Sequence, residues 1–311
     1  MLIGGILRRG GGSCGKTGPL AARRDLLGAA AQHIHRDIPR YPTVLTHLQA
    51  FRTSLEPKPA AWKPRNPDDE WSGHKPGNYA WYEVQDSVDS WQEFEKPKIV
   101  YRVIQFYPSY ALDKLGRLGN DKTFILPIEN LALLATLNSP LMWWRNWRAL
   151  PHLKDEALSP MGYLVESFPI AVAQESVPDT TRMIILTEGV RAATLAIHDW
   201  LRIEFGLDRP GRELESPERL DADRFAAAVR AALPRRRQLS GTEIARLKRE
   251  HAETIMPARQ AAAEAQRLER RLSDLVNQAY GLTPEEVALM WATAPPRMPL
   301  ARQNSPECEQ A

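Results

Sequence analysis

The feature that most constrains the fold is residues 98–106, a run in which apolar side chains recur on alternate positions. This period is that of a β-strand, because successive side chains of a strand point to opposite faces of the sheet. Two sets of side chains are predicted to occupy these faces, with Ile99, Tyr101 and Val103 on one and Val100, Arg102 and Ile104 on the other. The surrounding residues 79–113 are dense in aromatics and predict a rigid surface that presents positive charge.

Shorter segments supply further elements of the same fold. Residues 79–84 carry aromatic side chains on both parities, which predicts a strand covered on two faces. Residues 123–126 predict another short strand. Helical spacing predicts one helix from Tyr41 to the prolines that follow residue 56, and another over residues 127–147 with a break at 138–140.

The last third of the chain has the period of helices. Residues 186–205 predict an amphipathic helix that ends at Gly206. A capping box at residues 240–243 predicts the start of another helix, which we expect to end at Pro257. Apolar residues over 261–279 alternate by four and three, as in a coiled-coil seam. The chain is therefore predicted to be α+β, with a small mixed sheet followed by a helical C-terminal region that contains a coiled-coil-like helix pair.

Composition narrows the function classes only slightly. The 311 residues are 43% hydrophobic and 25% charged, which is typical of a globular protein, and the net charge is only +3. The two cysteines, Cys14 and Cys308, exclude a disulfide framework and a CxxC zinc pattern, so a reducing cytoplasmic location is expected. The sequence contains no apolar run of the roughly 18 residues that a membrane span needs, and no membrane partner is expected.

Motifs that carry chemistry are scarce. The histidines form no HExxH pattern and there is no G-x-S-x-G elbow, so neither metal ligands nor catalytic residues are predicted. Residues 10–17 match the G-x-x-x-x-G-K-T phosphate-binding pattern, in which Lys16 and Thr17 would contact the nucleotide. Pro19 falls where the following helix should already be running, which disfavours that site. A P-loop nucleotide-binding protein remains an alternative.

The basic residues near the predicted strands and the tryptophan-rich helix fit nucleic-acid binding better than a metal, catalytic or nucleotide-binding site. Lysine and arginine bind phosphates, and aromatic side chains stack on unpaired bases. The candidate DNA-binding residues are Lys96, Lys98, Arg102, Lys114, Arg117, Lys122, Arg145 and Arg148. The competing interpretation is that the lysines form a solvated rim and that the aromatics, Trp81, Tyr101, Trp143, Trp144 and Trp147, fill the core.

Several runs together resemble one family. The runs are Tyr41-Pro42-x-Val44-x-x-His47-Leu48, residues 81–87 (Trp-Tyr-Glu-Val-Gln-Asp-Ser), residues 94–101 (Phe-Glu-Lys-Pro-Lys-Ile-Val-Tyr), Ala111-Leu112-Asp113, residues 131–141 with Leu137-Asn138-Ser139, and residues 268–286 with Tyr280-Gly281-Leu282-Thr283. They are similar to the specificity region of type IIG restriction–modification enzymes and TaqI-like adenine-specific DNA methyltransferases. The resemblance covers residues 40–295.

The resemblance implies a domain that reads a short double-stranded DNA sequence for a methyltransferase. In that family the catalytic part transfers a methyl group from S-adenosylmethionine to adenine N6 after flipping the base. Its Asn/Asp-Pro-Pro-Tyr/Phe motif is not in this chain, whose one Pro-Pro pair, at 295–296, has Ala294 and Arg297 as neighbours. We therefore expect no cofactor binding and no catalysis by this chain alone, and a methyltransferase domain or subunit supplied in trans or lost by truncation.

The implied organisation has four parts. These are an unmatched, disordered leader at 1–38, a DNA target-recognition domain at 40–180, a helical region at 183–295 and a loose tail at 296–311. Base-reading residues are expected on the loops 114–122 and 145–163. A further alternative is a non-enzymatic helical scaffold that dimerises through the 261–279 seam.

Overall fold

A computed structural model describes residues 38–83, 91–120, 122–234 and 237–300. The leader, with Lys16 and Thr17 of the phosphate-binding pattern, lies outside these residues, as do both cysteines. The described residues up to Glu95 belong to one compact unit and those from Lys96 onward to another.

The N-terminal unit contains short helices. After a 3-10 helix at Ile38–Arg40, α1 spans Pro42–Gln49, α2 spans Arg52–Leu55 and α3 spans Trp91–Glu95. The single helix predicted from Tyr41 is thus divided, because the backbone of Phe51 leaves the helical region (φ −111°, ψ 9°). Pro42 occupies the first turn of α1, as the sequence predicts.

The loop between α2 and residue 83 is held by polar contacts to the backbone. The indole N–H of Trp71 donates to the Glu56 carbonyl at 3.0 Å, and Trp71 packs edge-on against Trp62 with ring centroids 5.9 Å apart. The strand predicted at 79–84 is not formed over the described residues 79–83. Instead the Glu83 carboxylate accepts the Ala80 N–H at 2.7 Å and closes a turn.

Gly73 is required by this loop, which gives a first prediction. A Cβ at this position would lie 2.2 Å from the Glu56 carbonyl oxygen and 2.6 Å from the Trp71 indole nitrogen. We expect Gly73→Ala to displace Trp71 and to destabilise this unit by about 1–3 kcal/mol, as overpacking does. Limited proteolysis and Trp fluorescence would detect the opened loop. Gly162→Ala is the control, because a Cβ there meets nothing within 4 Å; equal behaviour of the two variants would contradict the assignment.

The C-terminal unit begins with a three-stranded sheet. Its strands are β1 (Lys98–Arg102), β2 (Tyr110–Asp113) and β3 (Thr123–Leu126), in the order β2-β1-β3. Both pairs are antiparallel, so the sheet is antiparallel rather than mixed, contrary to the prediction. This sheet and the long C-terminal helices confirm the predicted α+β class. The connection 103–109 is shorter than the roughly dozen residues that a parallel crossover requires.

The principal strand is shorter than its sequence pattern suggests. β1 ends at Arg102 rather than at residue 106, because Val103 donates its N–H to the Lys122 carbonyl and Gln105 pairs with Leu158 outside the sheet. Ile104 is consequently exposed. The two predicted faces differ in burial, since Ile99 and Tyr101 of one set are buried while Val100 and Arg102 of the other are only partly buried.

Hydrogen bonds of a buried asparagine join the sheet to α4 (Leu131–Asn138), and α5 (Pro140–Ala149) follows directly. Tyr101 stacks on Tyr110 of β2 with centroids 5.1 Å apart. The buried Asn138 amide donates to the Tyr110 carbonyl at 3.0 Å, and its oxygen accepts the Tyr110 N–H at 3.2 Å. The predicted break between the helices is confirmed, with Ser139 capping the N-terminus of α5.

Six further helices complete the described chain. They are α6 (Gly162–Val165), α7 (Val177–Phe205), α8 (Ala222–Ala232), α9 (Gly241–Glu250), α10 (Met256–Ala279) and α11 (Pro284–Ala292). Short 3-10 helices lie at Lys154–Glu156, Gln174–Ser176, Arg212–Glu215 and Pro217–Arg219. The capping box of Ser240 and Glu243 is confirmed, and Gly206 ends α7 with a left-handed φ of 66°.

Pro257 does not end the helix that precedes it, contrary to the prediction. One turn of π-helix, His251–Ile255, joins α9 to α10 without a break. A π-turn widens the backbone, which accommodates the missing N–H of a proline in the turn that follows. The buried His251 ring, whose Nε2 lies 2.9 Å from the Leu220 carbonyl oxygen, is part of this turn.

The long helices form the predicted coiled-coil-like pair. Ion pairs join α7 to the α9–α10 rod in antiparallel order: Asp179–Arg271 at 2.9 Å, Arg182–Glu264 at 2.7 Å and Glu204–Arg246 at 2.7 Å. The 261–279 seam packs on the chain's own core, in which Ala265 and Leu272 are buried. That seam is therefore not available to a second molecule in the way the scaffold alternative requires.

One hydrophobic core crosses the predicted domain boundary near residue 180. Ile99 of β1, Met183 of α7, Leu272 of α10 and Met298 belong to the same buried cluster. A second cluster, around Ile197 and Phe225, lies among the C-terminal helices alone. Residues 296–300 are packed rather than loose, because the Trp143 indole N–H donates to the Pro296 carbonyl at 3.1 Å and Met298 is buried.

Candidate nucleic-acid interface

A buried ion pair lies at one end of the sheet. Lys98, at the start of β1, is directly opposite Asp113, at the end of β2. The Lys98 Nζ is 2.6 Å from the Asp113 Oδ2, and the Lys98 side chain is 0% exposed. Removing one partner of such a pair leaves an uncompensated charge in the protein interior, so the two residues depend on each other.

The Asp113 carboxylate also shapes the chain that follows it. Its Oδ1 accepts the Leu115 N–H at 3.1 Å, and its Oδ2 accepts the Arg117 N–H at 2.8 Å. Burial alone would raise the pKa of Asp113, but the hydrogen bonds from Lys98 and from these two amides outweigh it and hold the pKa below its usual value. Asp113 therefore stabilises the fold as a carboxylate, and this contribution is complete above the ordinary pKa of the carboxyl group and is lost as the pH falls from there through the lowered pKa.

Lys98 was predicted to bind DNA, and its burial corrects that prediction. The ammonium group is directed to Asp113 and is not exposed to a phosphate. Lys98 comes from the Phe-Glu-Lys-Pro-Lys-Ile run and Asp113 from the Ala-Leu-Asp run, so two of the runs that carry the family resemblance meet in this contact. A third, Leu-Asn-Ser, supplies the Asn138 that is bonded to Tyr110.

The loop 114–122, which we call the basic loop, joins β2 to β3 and presents most of the remaining candidates. Lys114, Arg117 and Lys122 are all exposed. Lys114 lies 2.5 Å from Glu129 in a pair of which both members are largely exposed. Two leucines of the loop are also exposed, Leu115 to 73% and Leu118 to 59%.

The ends of the basic loop are fixed to the sheet. At its start the Asp113 carboxylate holds two backbone amides. At its end Asn120 Oδ1 accepts from the Lys122 N–H and from the Thr123 hydroxyl, both at 3.1 Å. Gly116, with φ 65°, makes the left-handed turn between these anchors. The described residues of the loop, 114–120 and 122, are therefore anchored to the sheet at both ends.

The two remaining candidates, Lys96 and Arg102, lie near opposite ends of β1. Lys96 precedes β1 and is exposed, near the end of the sheet where the basic loop begins. Arg102 is half-buried at the far end of β1, opposite Thr123, where the loop ends. β1 has five residues, and at about 3.4 Å per residue its ends lie about 14 Å apart. The basic loop spans this distance and so links both groups.

Arg145 and Arg148 on α5 are engaged within the protein. The Arg145 guanidinium lies 4.6 Å from the centre of the Phe168 ring. Arg148 stacks on Trp144 at 3.9 Å and donates to the carbonyls of Trp144 and Thr293. Arg148 thus joins α5 to the end of α11, and Arg145 joins α5 to Phe168, so both arginines make contacts within the fold. Residues 145–163 were predicted to form a loop that reads bases, but residues 145–149 belong to α5.

Sequence reasoning missed the two exposed leucines. Leu115 and Leu118 flank Gly116 and Arg117 in a segment otherwise rich in turn residues. Apolar residues in a turn without strand or helix period are a signal for exposure, and that signal was present in the sequence.

Comparison with known proteins concerns the helical region. A protein-family profile described as Domain of unknown function (DUF8810) matches residues 171–276. The match spans α7, α8, α9 and most of α10, and it contains none of the eight basic candidates. No curated protein and no solved structure matches the chain.

Two other site classes were tested on the described residues. Over 38–83, 91–120, 122–234 and 237–300, no three His, Cys, Asp or Glu side chains are placed to hold a metal ion. Within the same ranges no helix has the combination of length and apolar character needed to cross a membrane.

The Lys98–Asp113 pair gives a second prediction. Lys98→Met and Asp113→Ala should each lower the free energy of unfolding by about 3–5 kcal/mol, because each leaves the other charge buried alone. Lys98→Met combined with Asp113→Ala should cost less than the sum of the two single changes, since neither charge is then left buried alone. Urea denaturation midpoints at neutral pH measure all of these.

The exposed pair Lys114–Glu129 is the matched control. Lys114→Met should change the free energy of unfolding by less than about 1 kcal/mol, because exposed ion pairs contribute little. A cost of Lys98→Met no larger than that of Lys114→Met would show that the buried pair does not hold the sheet.

Proposed function

We propose that this chain recognises a site in double-stranded DNA as the specificity part of an adenine-specific methyltransferase of a restriction–modification system. The observation that carries the proposal is the arrangement at the sheet. Lys98 and Asp113, from two runs that resemble that family, are bonded to each other and fix the start of an exposed, basic loop. Residues that resemble the family thus form the support, and the exposed loop is left to read DNA in this proposal.

The chemistry of the basic loop suits a duplex. Arg117 and Lys122 provide cations for phosphates, and phosphate contacts position a protein on DNA without reading sequence. Lys114 can exchange its exposed partner Glu129 for a phosphate at small cost, because the pair is solvated. Several such contacts on one short loop release counterions and supply affinity.

The exposed leucines supply the second component. Apolar side chains that project next to basic residues are used by DNA-binding proteins as wedges between base steps. Leu115 and Leu118 project from a backbone that is fixed at both ends, so little conformational entropy remains to be lost on insertion. We assign phosphate contact to Lys114, Arg117 and Lys122, and base contact to the two leucines.

Methyl transfer belongs to another domain or polypeptide in this proposal. S-adenosylmethionine, when bound there, supplies the methyl group, and the present chain orients the DNA. Lys96 and Arg102 lie at the two ends of β1 and extend the cationic surface beyond the loop. Purified chain incubated with labelled S-adenosylmethionine and DNA should transfer no label, while still binding the duplex.

The salt dependence of binding tests the phosphate contacts. Fluorescence anisotropy with a mixed-sequence duplex should give an affinity that falls with salt along a log–log slope of about −0.9 per phosphate contact. Arg117→Ala should weaken binding and reduce the magnitude of that slope by about 0.9. The triple change of Lys114, Arg117 and Lys122 to Ala should reduce it by two to three times as much, or about 1.8–2.7.

Arg230→Ala is the control of equal charge, since Arg230 is exposed on α8, away from the sheet. It should leave affinity and slope close to those of the parent chain. A duplex affinity that the triple change leaves unaltered, in a protein with an unchanged unfolding midpoint, rules out the basic loop as the DNA contact.

The leucines should behave differently from the cations. We expect Leu118→Ala to lower duplex affinity about 5- to 150-fold, equivalent to about 1–3 kcal/mol for one lost base contact. The salt slope should stay the same, because no phosphate contact is removed. Leu289→Ala, at an exposed position on α11, is the matched control. A changed slope with Leu118→Ala would place that residue outside the base contacts.

A further inference from the structure

The basic loop is a single stretch of chain rather than a helix or a two-stranded ribbon. It leaves β2 and enters β3, and these two strands are not neighbours, because β1 lies between them. Its described residues, 114–120 and 122, contain no helix and no strand. The major groove of DNA, about 12 Å wide, admits a helix or a two-stranded ribbon, whereas the minor groove is only about 6 Å wide. A single stretch of chain therefore suits the narrower groove better.

The charged residues of the loop favour a polyanion. Basic residues outnumber the one acidic residue of the sequence 114–122, Asp121. Arg117 lies between the two exposed leucines, Leu115 and Leu118, in the sequence. The negative potential of a narrow minor groove attracts an inserted arginine. The loop thus combines a cation suited to that groove with an apolar side chain on either side of it in the sequence.

The chain beside each leucine is held by contacts to the sheet. The Leu115 N–H donates to Asp113 Oδ1 at 3.1 Å. Gly119, which follows Leu118, lies so close to Thr123 that a Cβ at Gly119 would be 2.7 Å from the Thr123 Cβ. An apolar side chain separates two stacked base pairs only if its own backbone does not retreat. The contacts beside Leu115 and Leu118 meet this requirement.

We propose that the basic loop enters the minor groove and that its leucines kink the duplex at the base step they enter. This inference rests on the function proposed above, to which it adds the groove, the deformation of the DNA and a preference for flexible DNA. Apolar side chains inserted between base steps from the minor groove unstack the bases and bend the duplex by about 20–90° towards the major groove. The bent duplex wraps more protein surface, which offsets the cost of unstacking.

The kink makes the affinity depend on how easily the DNA deforms. Pyrimidine–purine steps such as TA and CA/TG are easily unstacked, whereas A-tracts are stiff. The recognised site is therefore expected to contain a TA or CA/TG step at the point of the kink. The sequence at that step is read through its deformability, without a hydrogen bond to either base.

Resonance energy transfer between dyes at the two ends of a short duplex measures the bend, and anisotropy of the same duplex measures binding. Energy transfer should rise when the full parent chain binds. A central mismatch removes part of the unstacking cost in advance, so it should raise the affinity of the parent chain about 10-fold or more. Leu115→Ala combined with Leu118→Ala should bind more weakly, without the rise in energy transfer and without the preference for mismatched DNA.

Leu289→Ala, which truncates an exposed leucine on α11, is the control and should keep both the bend and the mismatch preference. Duplex binding that depends on Lys114, Arg117 and Lys122 but occurs without a rise in energy transfer overturns the kink and leaves the proposed function standing. A rise that the double leucine variant retains also overturns the kink, and assigns the leucines to a protein partner instead. A parent chain without any duplex affinity overturns both the kink and the proposed function.

Discussion

The buried pair of Lys98 and Asp113 is the contact on which the sheet end and its loop depend. Two ionised groups in a protein interior are stable only when each is neutralised and hydrogen-bonded. Here the geometry meets that condition from three sides, because Asp113 accepts from Lys98 and from the amides of Leu115 and Arg117. One carboxylate thus fixes both the strand register and the first turn of the basic loop. In our proposal, DNA recognition by the loop therefore depends on a contact that also stabilises the fold.

The fold could be predicted where local sequence determines local structure. A few adjacent residues determine each of four features: the capping boxes at Ser240 and Thr283, the break at Ser139 and the end of α7 at Gly206. The π-turn before Pro257 could not be predicted from a rule that reads proline as a helix end. Its cause is tertiary: His251 is held by Leu220, and the surrounding core keeps the helix continuous.

The site shows the same division between local and distant causes. Lys96 and Lys98 flank one proline. Judged by side-chain type alone, the two lysines are equally able to bind phosphate. Only the pairing of β1 with β2 distinguishes them, by placing Asp113 against Lys98 and leaving Lys96 exposed. Arg148 likewise becomes structural through Thr293, which is distant in sequence. Side-chain type predicts what a residue can bind, and the fold decides which candidates remain accessible.

Surface residues that break a local pattern carry the remaining information. Leu115 and Leu118 are exposed in a turn, where each costs solvation without contributing to the described core. Both belong to the loop that also presents Lys114, Arg117 and Lys122. An excess of one charge sign suits a polyanion such as duplex DNA, so the apolar and the basic side chains of this loop act on the same partner in our proposal.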